Sequence, residues 1–115
     1  MNDDVSRSGR ELVEQVFTRV RNADLSVADL FTDDAVVTGP AGYEVVGRAA
    51  IRDHYERNIS AHAPQPRIEL IVGDHPHYVT IVNVGLRDGH ANRALDLFEI
   101  KGEKISRLEI WSQRG

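Results

Sequence analysis

The chain of 115 residues contains no cysteine. This absence excludes disulfides, thiolate catalysis and metal sites built from cysteine. No apolar run reaches the ~20 residues that a membrane span needs, and residues 1–4 (MNDD) are unlike a secretory signal. The net charge of -4 lacks the positive excess that binding to phosphates requires. We therefore expect no nucleic-acid partner, no membrane partner and a cytoplasmic location.

Hydrophobic residues make up 41% of the chain and charged residues 28%. This balance is typical of a soluble globular protein. The length suits one core, so we predict a single domain over residues 1–115.

Helical patterns fill the first half of the chain. Ser8 and Glu11 have the spacing of a capping box, which predicts a helix start near Ser8. An apolar stripe at helical spacing follows, made of Leu12, Val13, Val16, Phe17 and Val20. Ser26 and Asp29 have a similar spacing and predict a short second helix. A third helix is predicted over residues 48–60, after two short strands at 35–38 and 43–46.

The second half reads as an antiparallel meander. Residues 67–72 alternate, with Ile68, Leu70 and Val72 on one side. Residues 78–87 and 90–100 flank Asp88-Gly89, a strong two-residue hairpin signal, and residues 104–112 form the last strand. Helices followed by a meander predict an α+β fold, with the helices on one face of a curved sheet.

The hairpin register determines the surroundings of Asp96. If Asp88-Gly89 is the loop, Ile81 opposes Asp96, and one sheet face carries Val79, Ile81, Asn83, Ala94, Asp96 and Phe98. A three-residue loop at 101–103 would add Ser106, Leu108 and Ile110 to that face. A two-residue loop would instead place Arg107 beside Asp96 and make the carboxylate structural. We favour the first register because it continues an apolar surface.

A carboxyl group in such surroundings has a raised pKa, because burial disfavours the charged form. A protonated Asp96 could donate a hydrogen bond to an oxyanion in a dry pocket. The alternative is an ionised Asp96 that is satisfied by Asn83, a tyrosine or an arginine.

Three segments resemble the bacterial ketosteroid isomerases: residues 30–37 (LFTDDAVV), 47–55 (GRAAIRDHY) and 95–100 (LDLFEI). These enzymes belong to the nuclear transport factor 2-like superfamily, together with the SnoaL-like polyketide cyclases. The resemblance covers nearly the whole chain. It implies a cone-shaped, curved, antiparallel (mixed) sheet wrapped around about three N-terminal helices. It also implies a central apolar pocket for a steroid-like or polyketide-like molecule.

Position by position, the resemblance keeps only part of the isomerase site. Asp96 matches the protonated aspartate of the oxyanion hole, and Tyr55 matches a supporting tyrosine. The position of the catalytic base falls on Gly39 or Thr38, and that of the oxyanion-hole tyrosine falls near Val16 or Phe17. Classical steroid isomerisation is therefore not expected.

Limonene epoxide hydrolases share the fold and need an Asp-Arg-Asp arrangement on neighbouring strands. This chain has Ile81 and Asn83 at the corresponding places, which disfavours that reaction. His54, beside Tyr55, could replace the lost base, since the reference pKa of histidine is ~6.5. The remaining predicted pocket residues are Val16, Phe17, Tyr55, Ile81, Asn83, Phe98, Leu108 and Ile110.

We expect no cofactor and no metal. Asp74, His75 and His77 cluster in sequence, but no further ligand has helpful spacing, so solvated turn histidines are the better interpretation. His62 and His90 are expected to be exposed, in a loop and at a hairpin tip.

Trp111 is predicted on the sheet face opposite Asp96, where it could form an apolar patch with Val82, Val84, Leu95 and Leu97. A small monomer rarely exposes such a patch, which predicts a homodimer through the sheet. The relatives are usually dimeric, which points the same way.

Two functions are compatible with these features. One is an isomerase or cyclase-type enzyme that acts on a small apolar carbonyl compound, with Asp96 and His54 as catalytic residues. The alternative is a noncatalytic domain that binds such a molecule. A protein-interaction module is less attractive, because the sequence contains no partner motif.

Overall fold

The computed structural model describes residues 2–112, with side chains from Ser8 onward. Within this range the chain forms two α-helices, six strands and two 3₁₀ segments. The helices and strands are α1 (Asn2–Arg21), β1 (Phe31–Thr38), β2 (Glu44–Val46), α2 (Arg48–His62), β3 (Gln65–Asp74), β4 (His77–Gly85), β5 (Ala91–Lys101) and β6 (Lys104–Ser112). The side chains of residues 1–4, which bear on the signal prediction, lie outside the described residues.

The six strands form one mixed sheet in the order β2-β1-β6-β5-β4-β3. The β1–β6 pair is parallel, and the other neighbours are antiparallel. This architecture confirms the predicted α+β fold with a curved, mixed sheet. No helix within residues 2–112 is long and apolar enough to cross a bilayer.

Helix α1 begins at Asn2, so the predicted start near Ser8 is wrong. No proline or glycine lies between Asn2 and Ser8, so nothing stops the helix from extending backwards past the Ser8–Glu11 pair. The predicted stripe is confirmed: Val13, Val16, Phe17 and Val20 are buried, and Leu12 packs against them.

The second helix is a 3₁₀ helix over Leu25–Leu30, and its N-cap is Asp24 rather than Ser26. The Asp24 carboxylate accepts a hydrogen bond from the Ser26 amide at 3.0 Å, which satisfies one free donor of the helix start. Strand β1 follows at once and begins at Phe31, before the predicted start at residue 35, so it includes Asp33 and Asp34. Asp33 is exposed and pairs with Arg48 at 2.8 Å, so a strand position suits it.

A β-bulge interrupts β3 between Ile68 and Leu70. The extra residue reverses the alternation beyond it, so Ile68 and Ile71 pack against the core whereas Leu70 and Val72 are exposed. The prediction that Ile68, Leu70 and Val72 share one face is therefore wrong.

The β4–β5 hairpin has a three-residue loop, and its register differs by one from the prediction. Leu86 donates its amide to the carbonyl of His90 at 2.8 Å, and Gly89 takes a positive φ of 90°. The Asp88 carboxylate accepts the His90 amide at 2.9 Å, which fixes this longer turn. A shift of one residue turns every side chain of β4 to the other face. Asp96 therefore pairs with Thr80, not with Ile81.

Strand β6 reaches the predicted facing by another route. Lys101 pairs with Lys104 around a two-residue loop, and a bulge at Ser106 follows. Because of the bulge, Leu108 opposes Phe98 and Ile110 opposes Asp96. Arg107 instead lies across from Glu99 and binds Glu109 at 3.0 Å, so it is not the partner of Asp96.

The core lies between the helices and one sheet face, which we call the inner face. Phe17 of α1 packs edge-to-face on Phe98 of β5, with ring centroids 5.8 Å apart. Arg48, at the start of α2, donates from Nε and Nη2 to the carbonyl of Phe31 at 3.0 and 2.8 Å. These contacts fix both helices over the inner face.

Candidate functional site

A cavity of about 390 Å³ lies between α1, α2 and the inner face of the sheet. Its volume is within the ordinary range for small-molecule sites, ~300–1,000 Å³. The apolar walls include Val16, Phe17, Val82, Val84, Leu108 and Ile110. The polar groups on the wall include Tyr43, Tyr55, Asn58, His62, Asn92 and Asp96. A ligand here would be held mainly by apolar contacts and oriented by a few polar ones.

Asp96 lies in the middle of β5 and faces this cavity with only 5% of its surface exposed. Among the described residues, its Oδ1 atom has no hydrogen-bond partner. Burial raises the pKa of the Asp96 carboxyl to about 7. The group is therefore largely protonated below neutral pH and can donate a hydrogen bond.

Thr80 is the cross-strand neighbour of Asp96 on β4 and is fully buried. Its hydroxyl oxygen also lacks a partner within the described part of the chain. Buried polar groups are nearly always hydrogen-bonded in folded proteins. Thr80 does not line the cavity, so Asp96 is the unpartnered group that a polar atom bound in the cavity would explain.

Two tyrosines on the cavity wall also carry hydroxyl groups that can donate hydrogen bonds. Burial, and to a smaller extent the charge of Asp96, raises the pKa of both Tyr43 and Tyr55. The centroid of the Tyr55 ring lies 6.2 Å from that of Phe31, so the ring packs against the core as well as lining the cavity. Both phenols therefore stay protonated near neutral pH and act as hydrogen-bond donors.

His54 does not line the cavity. Its ring lies against those of Tyr43 and Tyr55, at centroid distances of 5.0 and 6.1 Å. Burial, with a smaller effect from the Arg57 charge, lowers the pKa of His54, so the imidazole is neutral near pH 7. A neutral imidazole is a suitable base, but the rings of Tyr43 and Tyr55 are the groups that reach the cavity here.

The other predicted pocket residues fall into those that line the cavity and those that do not. Val16, Phe17, Tyr55, Leu108 and Ile110 line the cavity. Phe98 is fully buried beneath Phe17 and is absent from the wall. Ile81 and Asn83 point to the opposite face, because the β4 register differs by one residue from the predicted register. They are therefore not residues of the cavity that contains Asp96.

Several wall residues were missed from the sequence, although some had a visible signal. Asn58 and His62 follow Tyr55 by three and seven residues, so a helical wheel places all three on one face. His62 is predicted in a loop but is the last residue of α2. Asn92 precedes Asp96 by four residues on β5 and shares its face. Tyr43 had no local signal, since its place depends on the preceding turn.

Asn92 and Asp96 mark two separate polar regions of the cavity. Four residues of extended strand span about 13 Å. His62 belongs to the Asn92 region, because its carbonyl accepts the Arg87 amide at 2.8 Å near the hairpin loop. The cavity thus has an acidic region at Asp96 and a second polar region, with Asn92 and His62, near the loop, separated by apolar walls.

Gly39 has an extended backbone, with φ -160° and ψ -167°, which any residue could adopt. It is nevertheless confined, since a Cβ atom there would overlap with the hydroxyl end of the Tyr43 ring. Tyr43 therefore occupies the space that a side chain at position 39 would need. The resemblance placed the isomerase base at this position, so no base can act from there.

The described side chains include no group of three or more potential metal ligands. The cavity wall carries one carboxylate, Asp96, and no arginine among its described residues. The Asp-Arg-Asp arrangement of limonene epoxide hydrolases is thus missing. The inner face of β4 presents Thr80 and Val82 at the relevant level, rather than the Ile81 and Asn83 compared from the sequence.

The sequence profile of the SnoaL-like domain family matches residues 13–108, which is most of the chain. The chain belongs to the SnoaL-like domain family. Solved structures described as nuclear transport factor 2-like share its fold. No functionally curated protein matches the sequence.

Solved structures of this fold are similar to the SnoaL-like domain described here. A provisionally named ketosteroid isomerase from Kribbella flavida is 18% identical, with a TM-score of 0.86 over 96% of this chain and 81% of that one. A provisionally named polyketide cyclase from Sinorhizobium meliloti is 24% identical, with a TM-score of 0.79 over 87% and 93%. An epoxide hydrolase from M. tuberculosis, described as resembling limonene epoxide hydrolase, is 16% identical, with a TM-score of 0.85 over 95% and 85%. At these identities the likeness establishes the fold, and function must be argued from the site.

Proposed function

We propose that this SnoaL-like domain binds a small, mostly apolar carbonyl compound and catalyses an isomerase or cyclase-type proton transfer on it, in which a water molecule or a basic group of the substrate takes the proton from carbon. Protonated Asp96 donates a hydrogen bond to the carbonyl oxygen and to the oxyanion that develops there. The single observation behind this proposal is the buried, unpartnered Oδ1 of Asp96 at the cavity wall. Tyr55 supports the same region as a protonated phenol.

The apolar walls favour a ligand with an apolar body, either a fused ring system or a carbon chain, over a strongly charged ligand. An anionic ligand is disfavoured, because ionisation of Asp96 would repel it and no arginine lines the described cavity. A steroid-like or polyketide-like molecule fits these requirements. The names of two similar structures, a polyketide cyclase and a ketosteroid isomerase, refer to molecules of these classes.

A matched pair of probes tests the role of Asp96. 2-Acetylnaphthalene and 2-isopropylnaphthalene share an apolar body and differ mainly in the carbonyl oxygen. At pH 6 we expect the wild-type protein to prefer the ketone by about tenfold, the effect of one hydrogen bond of about 1.4 kcal/mol. Asp96→Leu should remove the preference, whereas Asp96→Asn, which retains an N–H donor, should keep part of it. Equal binding of both probes by the wild-type protein would overturn the proposal.

Catalysis has its own measurement. A domain that stabilises an enolate should exchange the acetyl hydrogens of 2-acetylnaphthalene for deuterium in D₂O, followed by NMR. Asp96→Leu should slow this exchange by about 10²-fold or more, which is the effect of removing one oxyanion-hole donor from other enzymes.

A noncatalytic binding domain is the second candidate, and one observation favours it. Gly39 is sterically closed to a base, and His54 does not reach the cavity. The imidazole that lines the wall, His62, lies with Asn92 in the other polar region of the cavity. Ketone-selective binding with no deuterium exchange would establish this candidate instead of the enzyme.

We further propose that two copies pair through the outer face of the sheet. One row of apolar side chains crosses four strands there, in the directly paired order Leu70, Ile81, Leu95 and Trp111. Trp111 is 65% exposed, and Leu70 and Leu95 are more than 40% exposed. Val82 and Val84, which were expected in this patch, face the cavity instead.

The dimer is tested by sedimentation equilibrium at micromolar concentration. The wild-type protein should have twice the mass of the chain, and Leu95→Glu should have the mass of one chain. Ala61→Glu adds the same charge to an exposed position of α2 and is the control. A monomeric wild-type protein would refute this part of the proposal. The cytoplasmic location stays a prediction.

A further inference from the structure

Tyr43 is fixed in place from two sides. The carbonyl of Tyr43 accepts the Gly39 amide at 3.2 Å, and the Gly39 carbonyl accepts the Gly42 amide at 3.1 Å, so the turn folds Tyr43 back over Gly39. On its other side the Tyr43 ring lies against that of His54, with centroids 5.0 Å apart at 37°. The ring is thus held between a backbone and an aromatic side chain.

The hydroxyl end of the ring, rather than its base, lies at Gly39. A Cβ at position 39 would meet the Cζ, Cε2 and Oη atoms of Tyr43. Gly39 follows Val37 on the same side of the strand, so this hydroxyl is directed to the inner face, and Tyr43 lines the cavity. Glycine is therefore needed here for space rather than for its backbone freedom.

The sheet register places this hydroxyl in line with Asp96. Thr38 pairs with Glu109 in the parallel β1–β6 ladder, so the next residues, Gly39 and Ile110, lie side by side. Ile110 in turn opposes Asp96. Tyr43 and Asp96 therefore flank Ile110, and two strand spacings of about 4.8 Å separate Gly39 from Asp96 by about 10 Å.

We propose that Tyr43 is a specificity-determining residue, which donates a hydrogen bond to a second oxygen of the ligand while Asp96 binds the first. A single oxygen can bridge two donors that are at most about 6 Å apart, since each hydrogen bond is about 2.8 Å long. The backbone positions that carry the two donors are about 10 Å apart, with Ile110 between them, so the arrangement suits two separated acceptor oxygens on one ligand, as in a 1,4-dicarbonyl or a hydroxy-ketone. Within the described residues, no group is hydrogen-bonded to the Tyr43 hydroxyl, so it is available to a ligand.

This inference rests on the proposed role of Asp96, and two probes separate the two roles. 2-Acetylnaphthalene offers one oxygen, and 1-(2-naphthyl)pentane-1,4-dione offers two separated oxygens on the same apolar body. At pH 6, measured by calorimetry, we expect Tyr43→Phe to weaken binding of the dione by about tenfold and to change binding of the monoketone by less than twofold. The ring and its contacts with Gly39 and His54 are kept in this variant. Asp96→Leu should weaken binding of both probes.

Tyr78→Phe is the matched control, because Tyr78 is buried in the core and does not line the cavity. It should leave both affinities unchanged. An equal effect of Tyr43→Phe on both probes, no effect on either, or no binding of the dione by the wild-type protein would overturn the role of Tyr43. If Asp96→Leu has no effect while Tyr43→Phe selectively weakens dione binding, the role of Asp96 fails and that of Tyr43 stands.

Discussion

The pKa of Asp96 makes stability depend on pH in a direction that can be measured. Burial raises the pKa of this carboxyl from 3.8 to about 7 in the folded protein. In the unfolded chain the group is exposed to water and loses its proton near its ordinary value. Between these two pKa values the folded state therefore binds a proton that the unfolded state does not.

The sign follows from this difference. Stability falls with rising pH wherever the folded state binds more protons. The contribution of protonated Asp96 is thus fully present below about pH 4 and is lost as the pH rises toward 7. Each pH unit in this window is worth about 1.4 kcal/mol, so ionisation of Asp96 removes about 4 kcal/mol of the free energy of unfolding.

Asp96→Asn isolates this effect, because an amide of the same shape does not titrate. Urea unfolding, followed by circular dichroism, should be measured for both proteins between pH 4 and pH 7.5. We expect the stability of Asp96→Asn, relative to the wild-type protein, to rise by about 4 kcal/mol across the window. Other titrating groups contribute equally to both proteins and cancel in the difference.

Asp53→Asn makes the same chemical change on an exposed side chain of α2 and is the matched control. A stability difference between Asp96→Asn and the wild-type protein that does not change with pH would refute the reasoning. It would mean that Asp96 is already ionised in the folded protein, and hydrogen-bond donation to a carbonyl would fail with it.

Three further changes test the packing by thermal or urea unfolding. Gly9→Ala should destabilise the protein by about 1–3 kcal/mol through overpacking, because the new Cβ would lie 2.6 Å from the hydroxyl of buried Tyr78. Helix propensity alone predicts a gain of about 1 kcal/mol, and such a gain would contradict the overpacking. Ala63→Gly should stabilise it by about 0.5–1 kcal/mol, since Ala63 ends α2 in the left-handed region at φ 45°; a loss would show that the alanine is not strained. Arg48→Met should cost about 1.5–3 kcal/mol, because two guanidinium nitrogens bind the Phe31 carbonyl; an unchanged midpoint would exclude that role.

The sequence by itself determined which segments become helix and strand and what class of fold they form. The apolar stripe from Val13 to Val20 is a local pattern, and a helix that carries it must bury it. The resemblance identified the family and predicted a role for Asp96. The helix prediction depends on residues that are close in sequence, and the family resemblance depends on short sequence motifs.

Only the tertiary structure decided which side chains share the cavity with Asp96. The facing of β4 depends on one residue of loop length, set by a hydrogen bond from the His90 amide to the Asp88 carboxylate. That bond determines whether Thr80 or Ile81 stands beside Asp96, and neither strand shows it in its own pattern. Tyr43 reaches the site in the same way, because the turn after Gly39 folds it back against His54.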